Sequence, residues 1–157
     1  MKLFKYSFFF YLLCFLHIFL GINGTIGGIL LILKSDGSLL GMQTGWLIHS
    51  PFNNYIIPGL LLFIFLGTLP LLIVSGLVKK MSWQKADALN IYKNRHWAWT
   101  FSLYEGIISI TWITVQLVLT QNFWIQPVII IIGLLIIICT MIPGVIKQFE
   151  SNGINVS

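Results

Sequence analysis

Charge is what this sequence has least of. Only 8% of its residues are charged and only four of 157 are acidic, against roughly one-quarter charged in ordinary soluble domains. That shortage excludes a water-facing globular surface. The nine Lys and Arg residues give a formal net charge of +5, but they are separated by long apolar runs and form no phosphate-tracking stripe, so nucleic acid is not an expected partner. Cysteine is equally sparse. Cys14 and Cys139 both lie inside apolar runs with no Cys-x-x-Cys spacing, which excludes a disulfide framework, a structural zinc site and the paired thiols of four-span thiol oxidoreductases. They read as packing thiols. The three histidines are dispersed: His49 and His96 are expected near opposite membrane faces and cannot share a metal with His17. No metal or cofactor is expected.

What fills the chain instead is hydrophobic sequence, 57% of it. A hydrocarbon core about 30 Å thick takes roughly 20 apolar residues at 1.5 Å each, and four runs of that length occur, at about 6–33, 55–78, 97–119 and 123–146. They predict an all-α membrane protein, a single domain built as a four-transmembrane-helix bundle. The opening Met1-Lys2-Leu3-Phe4-Lys5 resembles a secretory signal, but the apolar run from Tyr6 to about Leu33 far exceeds the usual h-region of about 7–15 residues, so it is read as a retained first span. Gly24, Gly27 and Gly28 in its second half suit close helix packing. The 34–54 segment keeps Leu39, Leu40, Met42, Trp46, Leu47, Ile48 and Phe52 and is expected on the membrane surface. Within it Asp36-Gly37 signals a turn and Ser50-Pro51 a helix start. Gly67 to Pro70 predicts a kink in the second span. Ser82 is expected to cap a short helix through Leu89 to Tyr92, forming either a basic amphipathic element suited to anionic lipid or a solvated loop. Thr120-Gln121-Asn122 reads as a tight turn.

Lys2, Lys5, Lys79, Lys80, Lys85, Lys93, Arg95 and Lys147 flank one set of span ends, and Lys34 alone flanks the other. The positive-inside rule therefore predicts cytoplasmic N- and C-termini and a cytoplasmic 79–96 loop.

The third run carries the one acid placed inside an apolar stretch, Glu105. At about 100° per residue, Ser102, Glu105, Ser109, Trp112 and Gln116 share one side of a helix within roughly an 80° arc. An intramembrane carboxyl costs a few kcal/mol even on lenient insertion scales, so it should face the bundle and find a partner. His17 lies at a similar depth in the first span and is the partner within reach. The stripe reads as a site for a small lipophilic or cationic ligand, or as interhelical hydrogen-bonding glue.

Several short motifs run through most of the chain: Gly27-Gly28, Asp36-Gly37-Ser38-Leu39-Leu40-Gly41, Ser50-Pro51-Phe52 with Tyr55 and Pro58-Gly59, Gly67 with Pro70-Leu71, Arg95-His96-Trp97-Ala98-Trp99, and Gln126-Pro127. Together they resemble an uncharacterised family of small bacterial four-span membrane proteins. The resemblance implies topology and a bacterial inner membrane, and it brings no catalytic residue with it. Small multidrug transporters share four spans and one embedded glutamate, but theirs lies in the first span of a shorter chain, which is analogy alone. Three function classes follow. The first is a non-enzymatic protein that binds or transports a small lipophilic or cationic ligand beside Glu105. The second is an accessory protein that docks another membrane protein, or a second copy, through its glycine-rich first span. The third is a lipid-directed isomerase using Glu105 and His17 as acid and base. Membrane lipid is a partner in all three.

Overall fold

A computed structural model describes residues 7–150. The expected first-span start at Tyr6 and the cations Lys2 and Lys5 lie outside the described residues. The described chain is helical, and its one β-type pairing is an isolated bridge between Arg95 and Glu150. Helix α1 is Phe8–Leu33, α2 is Ile56–Lys79, α3 is Gln84–Leu89, α4 is Trp97–Leu119, α5 is Ile125–Met141 and α6 is Pro143–Phe149. Of these, α1, α2 and α4 are long and apolar enough to cross a membrane. A fourth crossing follows if α5 and α6, bent by 64° to each other, form one broken span. These are the proportions of a multi-pass membrane protein. Phe8, Phe15, Val118 and Ile138 are among many large apolar side chains on the outer surface, as expected where lipid rather than water is the surrounding solvent.

Two prolines decide the irregularities. Pro70 has no N–H and its ring crowds the carbonyl four residues earlier, which is that of Leu66. The helix responds with a wider π-type stretch, Leu62–Thr68, in which the Leu69 N–H reaches Ile64 O, five residues back. Such bulges are a recognised way for a helix to absorb a proline. The second break precedes Pro143, where Ile142 adopts φ −62° and ψ 129°. A residue before proline is pushed into this extended region, so the last apolar run bends at 142 instead of continuing straight to 146.

Helix α1 lies against α2 through its glycines. A Cβ on Gly24 would collide with the Leu66 carbonyl, and one on Gly28 would meet the Phe63 backbone nitrogen at 2.7 Å. Gly27 differs, since its nearest neighbour would be the Leu62 Cδ2 at 3.3 Å. On the other side α4 crosses α5 where Gly106 and Gly133 meet: a Cβ on Gly106 would come within 2.8 Å of Gly133 O.

The connections are folded rather than free. Gly37, at φ 83°, closes the turn begun by Asp36, whose carboxylate accepts from the Ser38 N–H at 3.0 Å and hydroxyl at 2.7 Å. These two bonds hold the exposed Asp36 carboxyl below its ordinary range. Tyr55 and Leu47 are buried with Leu31 in a small second core, and the Tyr55 hydroxyl donates to Gln43 O at 2.8 Å. Ser50-Pro51 does not start a helix. The Ser50 hydroxyl accepts from the Phe52 N–H at 3.2 Å in a local turn, and α2 begins at Ile56, whose N–H donates to Asn54 Oδ1. Nor does Ser82 cap α3: Trp83 holds that position without a side-chain bond, and the helix ends at Leu89 with Asn90 as its C-cap. Buried Asn90 holds the loop together, donating to Arg95 O at 2.8 Å and accepting from the Tyr92 N–H and the Thr100 hydroxyl.

Candidate functional site

Helix α4 begins on a cap built by its own entry sequence. His96 Nδ1 accepts the Ala98 N–H at 3.2 Å, so the ring hydrogen sits on Nε2 and is donated to Met81 O at 3.1 Å. Trp97 Nε1 donates to the same carbonyl at 2.8 Å. Trp99, one position from the opposite face, donates to Thr140 O on α5 at 2.9 Å. Three aromatic or imidazole rings thus fix how α4 is rotated, and that rotation turns Ser102, Glu105 and Ser109 inward. All three have no exposed surface.

From α1, His17 is likewise completely buried, and its Nε2 lies 3.0 Å from the Ser102 hydroxyl oxygen. The single hydrogen of that hydroxyl goes to Ala98 O at 3.1 Å. His17 must therefore carry its own hydrogen on Nε2 and donate it to Ser102, which leaves Nδ1 as a bare acceptor. No partner meets that Nδ1. Glu105 is met only on one side: the Ser109 hydroxyl donates to Oε1 at 3.3 Å, and Oε2 is buried with no partner. The expected Glu105–His17 contact is not made. Ser102 takes the histidine, three residues before the acid on the same helix face.

Trp112, one turn beyond Ser109, is half-buried, and its indole N–H is shielded and unpartnered. The same residue lines an apolar groove of about 400 Å³ with Phe65 of the π-type stretch and Ile107, Ile108, Thr111 and Val115. Gln116 is half-buried and about 16 Å from Glu105 along the axis, so it stands apart from the cluster. Gly24 and Gly28 are occupied by α2, as described above, and Gly27 faces a side chain only. Cys14 and Cys139 are buried and unpaired. Among the described residues no three of His, Cys, Asp and Glu converge as metal ligands would.

Two contributors were not visible in the residue pattern. Gly106 lets α5 close over the segment next to Glu105, and its Cβ site is occupied by Ile137 and Gly133. Thr25 of α1 places its backbone and hydroxyl against Gly67, with that hydroxyl buried and unpartnered. A glycine beside the acid was the only signal for the first, and nothing local signals the second.

Chemically the arrangement offers three shielded polar atoms without partners, Glu105 Oε2, His17 Nδ1 and Trp112 Nε1, inside an apolar bundle. Buried polar groups are nearly always paired, and each orphan costs about 1–3 kcal/mol. A ligand that hydrogen-bonds to such an atom, or replaces a proton on the carboxyl, recovers that cost. The fold defines a helical multi-pass membrane protein with an interior polar cluster. Comparison with protein-family models, curated proteins and solved structures gives no match for this chain.

Proposed function

We propose that this chain is a four-span protein of a bacterial inner membrane, with both termini and the 79–96 loop cytoplasmic, that binds or transports a small lipophilic or cationic ligand at Glu105 without catalysing a reaction. The observation that carries the reading is the fully buried Glu105 carboxyl whose second oxygen has no partner. An acid is expensive in such a place and is retained there for a ligand or a proton. The apolar groove beside Trp112, lined by Phe65, Ile107, Ile108, Thr111 and Val115, supports a lipophilic character for what arrives. Topology rests on the cations: Lys79, Lys80, Lys85, Lys93, Arg95 and Lys147 gather at one end, where the 80–96 connection meets α6, and Lys34 stands alone at the other.

The acid–base alternative lacks the direct Glu105–His17 bond that would poise the two groups. Docking of another protein through Gly24 and Gly28 is disfavoured because α2 of the same chain already covers them.

The test is binding of tetraphenylphosphonium, a lipophilic cation, to the purified protein in detergent, with proton release measured alongside. Wild type is expected to bind and to release protons on binding, and Glu105→Gln to lose both while melting as one cooperative unit. Equal binding and proton release by the two proteins would remove Glu105 from any site.

A further inference from the structure

A second polar site lies at the cation-rich end, away from Glu105 and independent of the reading above. A cavity of about 280 Å³ is lined by Lys80, Lys93, Arg95 and His96, with Asp87 as its carboxylate. Three permanent cations face one acid, and the space far exceeds the ~30 Å³ that one water occupies in the liquid.

The donors are arranged rather than loose. Arg95 stacks its guanidinium on the Trp99 ring at 4.5 Å. Trp99 is itself held by the Thr140 carbonyl and by an edge-on contact with Tyr92 at 5.4 Å. In that position Arg95 Nη1 is shielded from solvent and has no acceptor, although a guanidinium is built to place several N–H groups on one oxyanion. Lys93 and Lys80 are each tethered through Nζ to a backbone carbonyl, Asp87 O at 2.7 Å and Gln148 O at 2.6 Å. Lys80 uses one of its three ammonium hydrogens in this way, and Lys93 uses a second on Ala88 O at 3.5 Å, so both have donors left over. Of the other polar groups in the lining, which include Ser82, two are committed elsewhere: His96 Nε2 to Met81 O, and the Asn90 amide to the loop backbone and Thr100. Around this end Leu89 and Ile91 are each 68% exposed, and Trp83 and Tyr92 add exposed rings. Amphipathic aromatics of this kind favour the headgroup level of a bilayer.

We infer that this cavity is a phosphate-binding site, formed by Arg95, Lys80 and Lys93, that takes the phosphate of an anionic lipid headgroup or free phosphate. The fork of Arg95 supplies the oriented donors, and the two tethered lysines supply charge on either side. Asp87 sets the upper limit on ligand charge and disfavours a second anion beside the first.

The experiment uses the full chain in detergent, with native mass spectrometry of lipid adducts and thermal melts. Phosphatidic acid, phosphatidylglycerol, diacylglycerol and inorganic phosphate are added separately. Wild type is expected to retain phosphatidic acid and phosphatidylglycerol and not diacylglycerol. Arg95→Gln and Lys93→Gln should each weaken retention about tenfold or more, the size of a lost charge-assisted hydrogen bond. Lys85→Gln, on exposed α3 outside the cavity, should leave it unchanged. If Arg95→Gln unfolds because Trp99 loses its stacking partner, Lys93→Gln decides the matter, since Lys93 is exposed and takes no part in that stack. Stabilisation by inorganic phosphate as well as by lipid identifies phosphate itself as the ligand. Stabilisation by the lipids alone identifies the headgroup of a membrane lipid. Equal loss in Lys85→Gln and Lys93→Gln, or no difference between phosphatidic acid and diacylglycerol, overturns the site.

Discussion

Substituting alanine for Gly24 and for Gly27 separates a structural glycine from an incidental one three residues away. An added methyl on Gly24 lands on the Leu66 carbonyl oxygen and carbon, with the Gly67 nitrogen 2.7 Å away. All of these are backbone atoms of α2, so no rotamer change relieves the clash and the two helices must part. Overpacking of this kind costs typically 1–3 kcal/mol, while alanine regains about 1 kcal/mol over glycine in helix propensity. Because the obstacle is backbone, the upper part of the range applies, and Gly24→Ala should destabilise by about 2 kcal/mol net. For a chain of this size that is a fall of roughly 4–8 °C in melting temperature. At Gly27 the same methyl meets only the end of the Leu62 side chain at 3.3 Å, which can turn away, so Gly27→Ala should be neutral or stabilising by up to about 1 kcal/mol. The buried thiols Cys14 and Cys139 supply the assay: a fluorogenic maleimide reacts only as the bundle opens, and its signal against temperature gives the midpoint. Equal midpoints for the two variants, or a larger fall for Gly27→Ala, would refute the claim that α1 rides on the carbonyl next to Pro70.

Two further substitutions probe α4. Ser102→Ala removes the acceptor for His17 Nε2–H and should destabilise by about 1 kcal/mol, whereas Ser109→Ala, which removes a longer 3.3 Å bond to Glu105, should cost less; melts of the two variants side by side check the order. His96 gives a pH signature. Burial lowers its pKa below the ordinary 6.5, with the Met81 carbonyl, Asp87 and the Lys80 backbone acting the other way and the Lys80 charge adding slightly to the lowering. The unfolded chain then takes up the proton first, so the stabilisation is fully present above about pH 6.5 and declines as the pH falls below it. Protonation of Nδ1 also abolishes the cap on Ala98. His96→Asn, which keeps an N-cap acceptor, should flatten the stability profile below about pH 6.5, and His96→Ala should cost about 1 kcal/mol above pH 7; an unchanged pH profile in His96→Asn would show that another group sets it.

Much of the helical plan was legible without tertiary information, because hydrophobic run length and helical periodicity are local properties. Apolar stretches long enough for a bilayer mark α1, α2 and α4. Pro70 after Gly67 marks the irregularity in α2, and a spacing of three and four residues puts Ser102, Glu105 and Ser109 on one face. What the spacing could not supply was the azimuth of one helix against another. Between membrane helices apolar burial discriminates little, since lipid tails are as apolar as leucine, so rotation is decided by close backbone approach and by a few hydrogen bonds. Those lie far apart in sequence. Gly24 against Leu66 sets α1 on α2, Gly106 against Gly133 sets α4 on α5, and Trp99 N–H on the Thr140 carbonyl fixes the turn of α4. Their combined result is that His17 meets Ser102 and leaves Glu105 with an open oxygen. The same is true of the 80–96 connection, whose cations appear in the sequence as a basic loop. Only the folding of that loop around Asn90, and the stacking of Arg95 on Trp99, gathers them around one cavity. Composition and local spacing therefore determined that this chain is helical and apolar enough for a membrane; long-range packing decided which polar atoms are left to meet a ligand.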